Sequence, residues 1–183
     1  DGEPAIPELN TFHRKNEYDP ERAKHFQLTQ EDGRVWQQGG LEIGVEGDRR
    51  EIGITRAHLE EDPGSLQHKG GNIDTAEATL INYNRAGTPL VEIVTEPDFR
   101  SPAETRAFLA KLEEVLEYLG VFDATRDGSL RVDANISLVD ADEVDDAGDI
   151  DETVLEDANR TEVKNISSHK AAEKALAYEV SRQ

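Results

Sequence analysis

Four short segments combine residue types that could hold a cation next to an anionic group. The first is Tyr83-Asn84-Arg85-Ala86-Gly87-Thr88-Pro89-Leu90-Val91-Glu92-Ile93-Val94-Thr95-Glu96-Pro97-Asp98, in which Arg85, Glu92, Glu96 and Asp98 fall within fourteen positions. A strand needs its apolar half. Three carboxylates and a guanidinium on its rim are costly unless they pair, bind a cation or face a polar ligand. The second segment, His58-Leu59-Glu60-Glu61-Asp62, offers an imidazole and hard oxygen ligands at what reads as a strand end. That set suits Mg²⁺, which takes one or two carboxylates alongside phosphates. In a strand, His58 and Glu60 point one way and Glu61 the other. The third and fourth segments each put a mixed polar set on one strand face: Arg131, Asp133 and Asn135, then Arg160, Glu162 and Lys164.

Each segment also has a plain reading. The acidic strand end could be a solvated face, and the two polar faces could form a cross-strand ladder of ion pairs worth little each. If these strands share one sheet with helices behind it, the alternative is a concave face whose carboxylates hold metal and whose Arg and Lys balance phosphate. For the two polar faces spacing alone ranks the readings equally, whereas for the acidic strand end a solvated face is ordinarily the better reading in so acidic a chain.

The elements that must position these groups follow from periodicity. Residues 1–40 show no clear period; Pro4, Pro7 and Pro20 mark extended or turn structure. Leu41–Glu46 alternates, Gly47-Asp48 reads as a turn, and Glu51–Arg56 continues as a second strand running on to Asp62, before Pro63-Gly64. Residues 63–77, with Gly70-Gly71-Asn72, read as a polar loop. Strands are expected over Ala78–Asn84 and Leu90–Thr95, joined as a hairpin by Arg85-Ala86-Gly87. Ser101-Pro102-Ala103-Glu104 is a helix start, with Ser as N-cap, Pro in the first turn and Glu three residues on. Phe108, Leu112, Val115, Leu116 and Leu119 follow at helical spacing, and Gly120 is the stop. Leu130–Leu138 and Arg160–Asn165 read as half-buried strands. Between them, residues 139–158 form an acidic insertion, with ten acidic and no basic residues from Val139 to Asp157, expected as a solvated loop. Ser168 or Ser167 caps a last helix to about Arg182, with Ala172, Ala175, Leu176, Tyr178 and Val180 on its inner side. The order predicts an α+β fold with a largely antiparallel sheet and helices packed on one face.

Composition narrows the class. The chain has 183 residues, 36% hydrophobic and 33% charged, and a formal net charge of −20. Periodic apolar blocks argue against disorder, so the charge reads as a solvated acidic shell suited to a salt-rich cytoplasm. Complete folding in dilute buffer, with no gain in molar salt, would contradict that. There is no cysteine, so disulfides and thiolate metal sites are excluded. No segment has the length of a membrane span and no signal peptide opens the chain, so an intracellular soluble protein is expected. The absence of Met, with Asp at position 1, suggests a fragment or a processed chain. The phosphate-binding GxxxxGK[ST] and GxGxxG loops are missing. His13, His25, His68 and His169 read as surface residues. A net negative chain without a basic stripe cannot hold nucleic acid by charge alone.

The sequence resembles the B subunit of aspartyl/glutamyl-tRNA amidotransferase. The resemblance is carried by Tyr83–Asp98, Ser101-Pro102, Gly128–Asn135, Glu162-Val163-Lys164-Asn165, Arg14-Lys15-Asn16 and Gly53–Asp62, in order, from about Pro7 to Gln183. Asn84-Arg85-Ala86-Gly87 favours the B subunit over the archaeal E subunit, and the acid-rich surface resembles a halophile's version. The resemblance implies a cradle like that of glutamine synthetase that uses ATP and Mg²⁺ to phosphorylate the side-chain carboxylate of Glu or Asp misacylated on tRNA. Ammonia that the amidase A subunit releases from glutamine then displaces phosphate. The implied partners are that amidase, the small C subunit, and aminoacyl-tRNA held mostly by regions outside this chain. The resemblance implies His58, Glu60 and Glu61 near the metal, with Glu60, Arg85, Glu92, Arg131, Asp133, Glu162 and Lys164 lining the cradle and Arg85, Arg131 and Lys164 facing ATP. Glu96 and Asp98 are expected to hold the strand exit. The family's opening strand, with a Glu and a His for the metal, and its Cys-rich stretch have no counterpart here. An aromatic- and Pro-rich loop is replaced by Glu17–Lys24, and the helical and tail domains that contact tRNA would follow Gln183. A non-catalytic fragment that binds partner proteins, and a Mg²⁺-dependent carboxylate kinase acting on a small molecule, are the competing readings.

Overall fold

A computed structural model describes residues 8–32, 35–72, 74–126, 128–145 and 150–183. Pro4 and Pro7 lie outside the described residues. The chain forms two compact units, one of residues 1–40 and 53–97, the other of 41–52 and 98–183.

The first unit is built on strands, with residues 41–52, the turn end of the hairpin described below, counting with the second unit. β1 (His13–Asn16) and β2 (Phe26–Thr29) pair antiparallel, and β2 continues onto β4 (Asp48–Glu61) through Thr29 opposite Glu60. β3 (Trp36–Val45) neighbours β4 on its other side, and β7 (Pro89–Thr95) also pairs with β4, antiparallel. Gly47 and Glu46 both have positive φ, at 99° and 54°, so the expected β3–β4 hairpin turns on Glu46-Gly47, one residue before the predicted pair. The predicted loop 63–77 is corrected: Ser65–Lys69 is a strand, β5, paired antiparallel with β6 (Ala78–Asn82). The expected hairpin across Arg85-Ala86-Gly87 is corrected with it. β6 belongs to β5, and β7 belongs to β4. In that two-stranded ribbon Leu66 lies opposite Ile81 and Gln67 opposite Leu80, and Leu80 and Ile81 stay exposed.

The second unit holds the helices. α1 (Pro102–Tyr118) starts with a capping box in which the Ser101 side chain accepts from the Glu104 N–H and Glu104 reaches back, as the sequence requires. Gly120, at φ 71°, takes the left-handed position that ends it. β8 (Val132–Ser137) and β9 (Arg160–Ile166) pair antiparallel as a separate two-stranded sheet. α3 (His169–Arg182), capped by Ser168, packs on α1 and on both strands. Its inner face is corrected: Ala172, Leu176 and Glu179 are buried, whereas Tyr178 and Val180 are exposed. Glu179 is kept inside by Arg182, Gln183 and Thr161, which hold its carboxyl at about 2. The acidic insertion is not simply a loop. It carries a 3-10 turn at Ala141–Glu143, a bridge between Val144 and Ile150 and a short helix, α2 (Glu152–Asp157), while residues 146–149 lie outside the described residues.

The architecture is thus α+β, and every strand pairing with a described register is antiparallel. Among the described residues, no helix is long and apolar enough to cross a membrane.

Candidate functional site

Three strands of the first unit bring one polar set to one face. His58 and Glu60 share that face because β4 alternates, and Glu92 joins them because β7 sets it directly opposite His58. Ligand atoms of His58, Glu60 and Glu92 lie within 4.8 Å of one another. His58 Nε2 is 3.1 Å from Glu60 Oε1 and 3.9 Å from Glu92 Oε2. His58 is 5% exposed, and its Nδ1 is buried without a hydrogen-bond partner. Leaving a buried ring nitrogen unpaired is costly, so this histidine sits where packing alone would not place it. One imidazole and two carboxylates form a mixed nitrogen–oxygen donor set; its carboxylates suit Mg²⁺ and the full set suits Mn²⁺. The residues therefore fit a divalent cation.

The resemblance implied Glu61 near the metal, whereas the structure places it away from His58, Glu60 and Glu92. Glu61 projects to the opposite face, where Lys24 Nζ donates to its two oxygens at 2.6 and 2.7 Å and the Leu28 N–H donates at 3.1 Å. Burial pushes the Glu61 carboxyl up, but Lys24, Leu28 and Arg22 together hold it below its ordinary 4.5. A cavity of about 160 Å³ lies beside Lys24, Gln27, Glu61, Asp62 and Gly87.

Arg85 Nε donates to Asp62 Oδ2 at 2.8 Å; Asp62 is 2% exposed at its side chain and Arg85 46%. The Asp62 backbone also receives the Gly87 N–H and donates to the Thr88 carbonyl, so this aspartate holds both ends of the turn that carries Arg85. Nothing in the alternation of the sequence singled out Asp62 as that partner. Glu96 accepts from the Thr55 hydroxyl at 2.8 Å and its N–H donates to the Gly53 carbonyl, in keeping with a strand-exit role.

The remaining predicted residues lie in the second unit, on the exposed side of β8–β9. β8 and β9 pair with each other in one two-stranded sheet, so their two polar faces meet the condition of a shared sheet. Arg131 precedes β8. Asp133 sits at a register shift between Val132 and Ala134, where its Oδ1 accepts the Asn165 N–H at 2.8 Å; Asn165 has φ 61°. Asp133 thereby closes a bulge. Glu162 lies opposite Asn135 and pairs with Lys164 at 3.3 Å, both well exposed. His25 is exposed as expected, but His169 is only 24% exposed and meets Glu113 at 2.8 Å. A second cavity, of about 550 Å³, is lined by Asp140, Glu143, Thr153 and Asp157 of the acidic insertion and by no predicted site residue.

Sequence reasoning missed Gln27 and Thr29, both buried. Thr29 Oγ1 donates to Glu60 Oε1 at 2.8 Å, and Gln27 Nε2 donates to Glu60 Oε2 at 3.0 Å and to the Glu61 carbonyl at 2.8 Å. Their signal is the alternation Phe26-Gln27-Leu28-Thr29, with polar residues on one side.

Residues 3–183 match the GatB/GatE catalytic domain. The chain belongs to that family. A protein of Natronomonas pharaonis, named as the B subunit of aspartyl/glutamyl-tRNA(Asn/Gln) amidotransferase, is 70% identical over 97% of this chain and 36% of its own length. The protein of the same name from Haloarcula marismortui is 65% identical over 97% of the chain and 37% of its own length. That of Methanosarcina barkeri is 48% identical over 99% of the chain and 33% of its own length. The chain thus spans about a third of the length of these relatives. Within the GatB/GatE family, its higher identities are to haloarchaeal proteins, in keeping with the net charge of −20.

Proposed function

We propose that the chain is the catalytic cradle from the B subunit of a tRNA-dependent amidotransferase, and that it activates the side-chain carboxylate of Glu or Asp misacylated on tRNA for amidation. The observation that carries this reading is the family match along residues 3–183, with His58, Glu60 and Glu92 converging inside it. In this reading a carboxylate oxygen of the substrate attacks the γ-phosphorus of ATP, giving an acyl phosphate and ADP. Ammonia then attacks the acyl carbon and expels phosphate. Such chemistry asks for positioning and charge neutralisation rather than covalent catalysis.

His58, Glu60 and Glu92 would hold Mg²⁺, which supplies charge neutralisation at the phosphates when bound. Arg85, anchored through its Nε on Asp62, presents its guanidinium to phosphate. The cradle roles of Asp133 and Glu162 and the nucleotide roles of Arg131 and Lys164 are part of this proposal. A cradle like that of glutamine synthetase, the amidase A and small C subunits as partners, tRNA held mostly outside this chain and a salt-rich cytoplasm belong to the same proposal.

The test uses the full-length protein with its amidase partner. ADP formation should require mischarged tRNA, and hydroxylamine should trap the activated carboxylate. Glu60→Gln should lower kcat/KM by about 100-fold or more, comparable to removing a principal electrostatic contact. ATP turnover on free glutamate, indifferent to tRNA, would replace this reading with a small-molecule carboxylate kinase; no turnover at all would leave a binding fragment.

A further inference from the structure

Glu60 and Glu61 are neighbours on one strand, yet they are held in opposite ways. Glu61 is neutralised by the Lys24 ammonium. Among the described residues, Glu60 has no Lys or Arg partner; its donors are the neutral Gln27 amide and Thr29 hydroxyl, with His58 beside them. Gln27 and Thr29 are 3% and 5% exposed, so both donors are fixed by packing. The Gln27 Nε2 spends its two hydrogens on Glu60 and on the Glu61 carbonyl, which fixes the orientation of the amide. Next along the chain, Gln30 welds the two strands: its Oε1 accepts the Leu59 N–H at 2.8 Å and its own N–H donates to the Leu59 carbonyl. Neutral donors aim a carboxylate without cancelling its charge. A carboxylate has about four lone-pair sites. Gln27 and Thr29 occupy one on each oxygen and leave the rest toward His58 and Glu92.

We propose that Gln27 and Thr29 are positioning residues that lock Glu60 for a divalent cation held with His58 and Glu92, and that they set the affinity of that site. This rests on the cation reading given under the proposed function. Outer partners of metal-ligating carboxylates typically change metal affinity by 10- to 100-fold when removed.

The experiment titrates Mn²⁺ alone into the full-length protein, reading free Mn²⁺ by electron paramagnetic resonance, with Glu60→Gln as control. Thr29→Val, which keeps the shape and removes the hydroxyl, should weaken Mn²⁺ binding by about 10-fold or more. Thr29→Ser, which restores the hydroxyl, should bind like the parent. Gln27→Met should weaken binding at least as much as Thr29→Val. Thermal unfolding checks that each variant is folded; if Gln27→Met is not, the Thr29 pair decides. Parent binding equal to that of Glu60→Gln would overturn the cation reading itself. Glu60-dependent binding that is unchanged in Thr29→Val would overturn the positioning role alone.

Discussion

The interiors of the two units are made of opposite materials. Among the described residues, the buried apolar side chains all lie in the second unit: Ile43, Ile52, Phe108, Leu109, Ala134, Ile166, Ala172 and Leu176. Among the described residues, the buried polar side chains of the first unit are Gln27, Thr29, Gln30, His58 and Asp62, and no described apolar side chain there is as deeply buried. An apolar interior is what area removed from water stabilises. A polar interior repays its desolvation only when every group is satisfied, and it then specifies one geometry. The same contrast separates the two polar strand faces. On β4 and β7 the carboxylates converge on a buried histidine and are aimed by buried neutral donors. On β8–β9, Glu162 and Lys164 form an exposed pair and Asp133 closes a bulge. Alternation marked both faces equally; burial of the neighbours distinguishes them.

This comparison can be broken at either end. The largest stability loss is expected at Ile52, which is fully buried: Ile52→Ala should cost about 2–5 kcal/mol by denaturant unfolding, through a cavity that the core cannot fill. Asp62→Ala comes next. It removes the buried carboxylate that Arg85 pairs with, keeps the backbone bonds of residue 62 to Gly87 and Thr88, and should cost about 3 kcal/mol, the lower end for a broken buried pair because Arg85 is half exposed. Thr29→Val should cost only about 1 kcal/mol of stability while removing most of the cation affinity, because a single hydrogen bond is lost and shape is kept. A loss as large as that of Ile52→Ala would mean that the polar interior is chiefly structural.

Acid titration of Glu61 sharpens the contrast between the two neighbouring glutamates. Its folded value lies below 4.5, so its contribution is complete above the unfolded value and is lost as pH falls through the folded one. Stability curves of the parent and Glu61→Gln, measured by denaturant unfolding, should therefore differ at neutral pH and converge at acid pH. A constant gap would contradict the Lys24–Glu61 pairing. The smallest effect is expected on β9, where Glu162→Ala should change stability by less than about 1 kcal/mol and leave Mn²⁺ binding unaltered.

Much of the frame was legible in the sequence because its signals are local. The Ser101–Glu104 box and Gly120 fix α1, and alternation marks β4, β7, β8 and β9. The ribbon of β5 with β6 was not legible: Gly70-Gly71 dominates that stretch, and Leu66 acquires its meaning only opposite Ile81. Strand partnership is non-local, so β7 was placed beside β6 when it pairs with β4. Glu61 entered the metal set through the resemblance, although the period of two in a strand sends it to the other face. Glu92 joins His58 through cross-strand register, and Gln27 and Thr29 reach Glu60 across a strand pairing that no single stretch encodes.

The most direct measurement is paramagnetic broadening by Mn²⁺ in amide NMR spectra of the full-length protein in high salt. Selective loss of signals around His58, Glu60, Glu92, Gln27 and Thr29, reversed by Glu60→Gln, is the predicted result. Broadening spread over the acidic insertion at residues 139–158, or centred on β8–β9 and indifferent to Glu60, would contradict a cation site in the first unit.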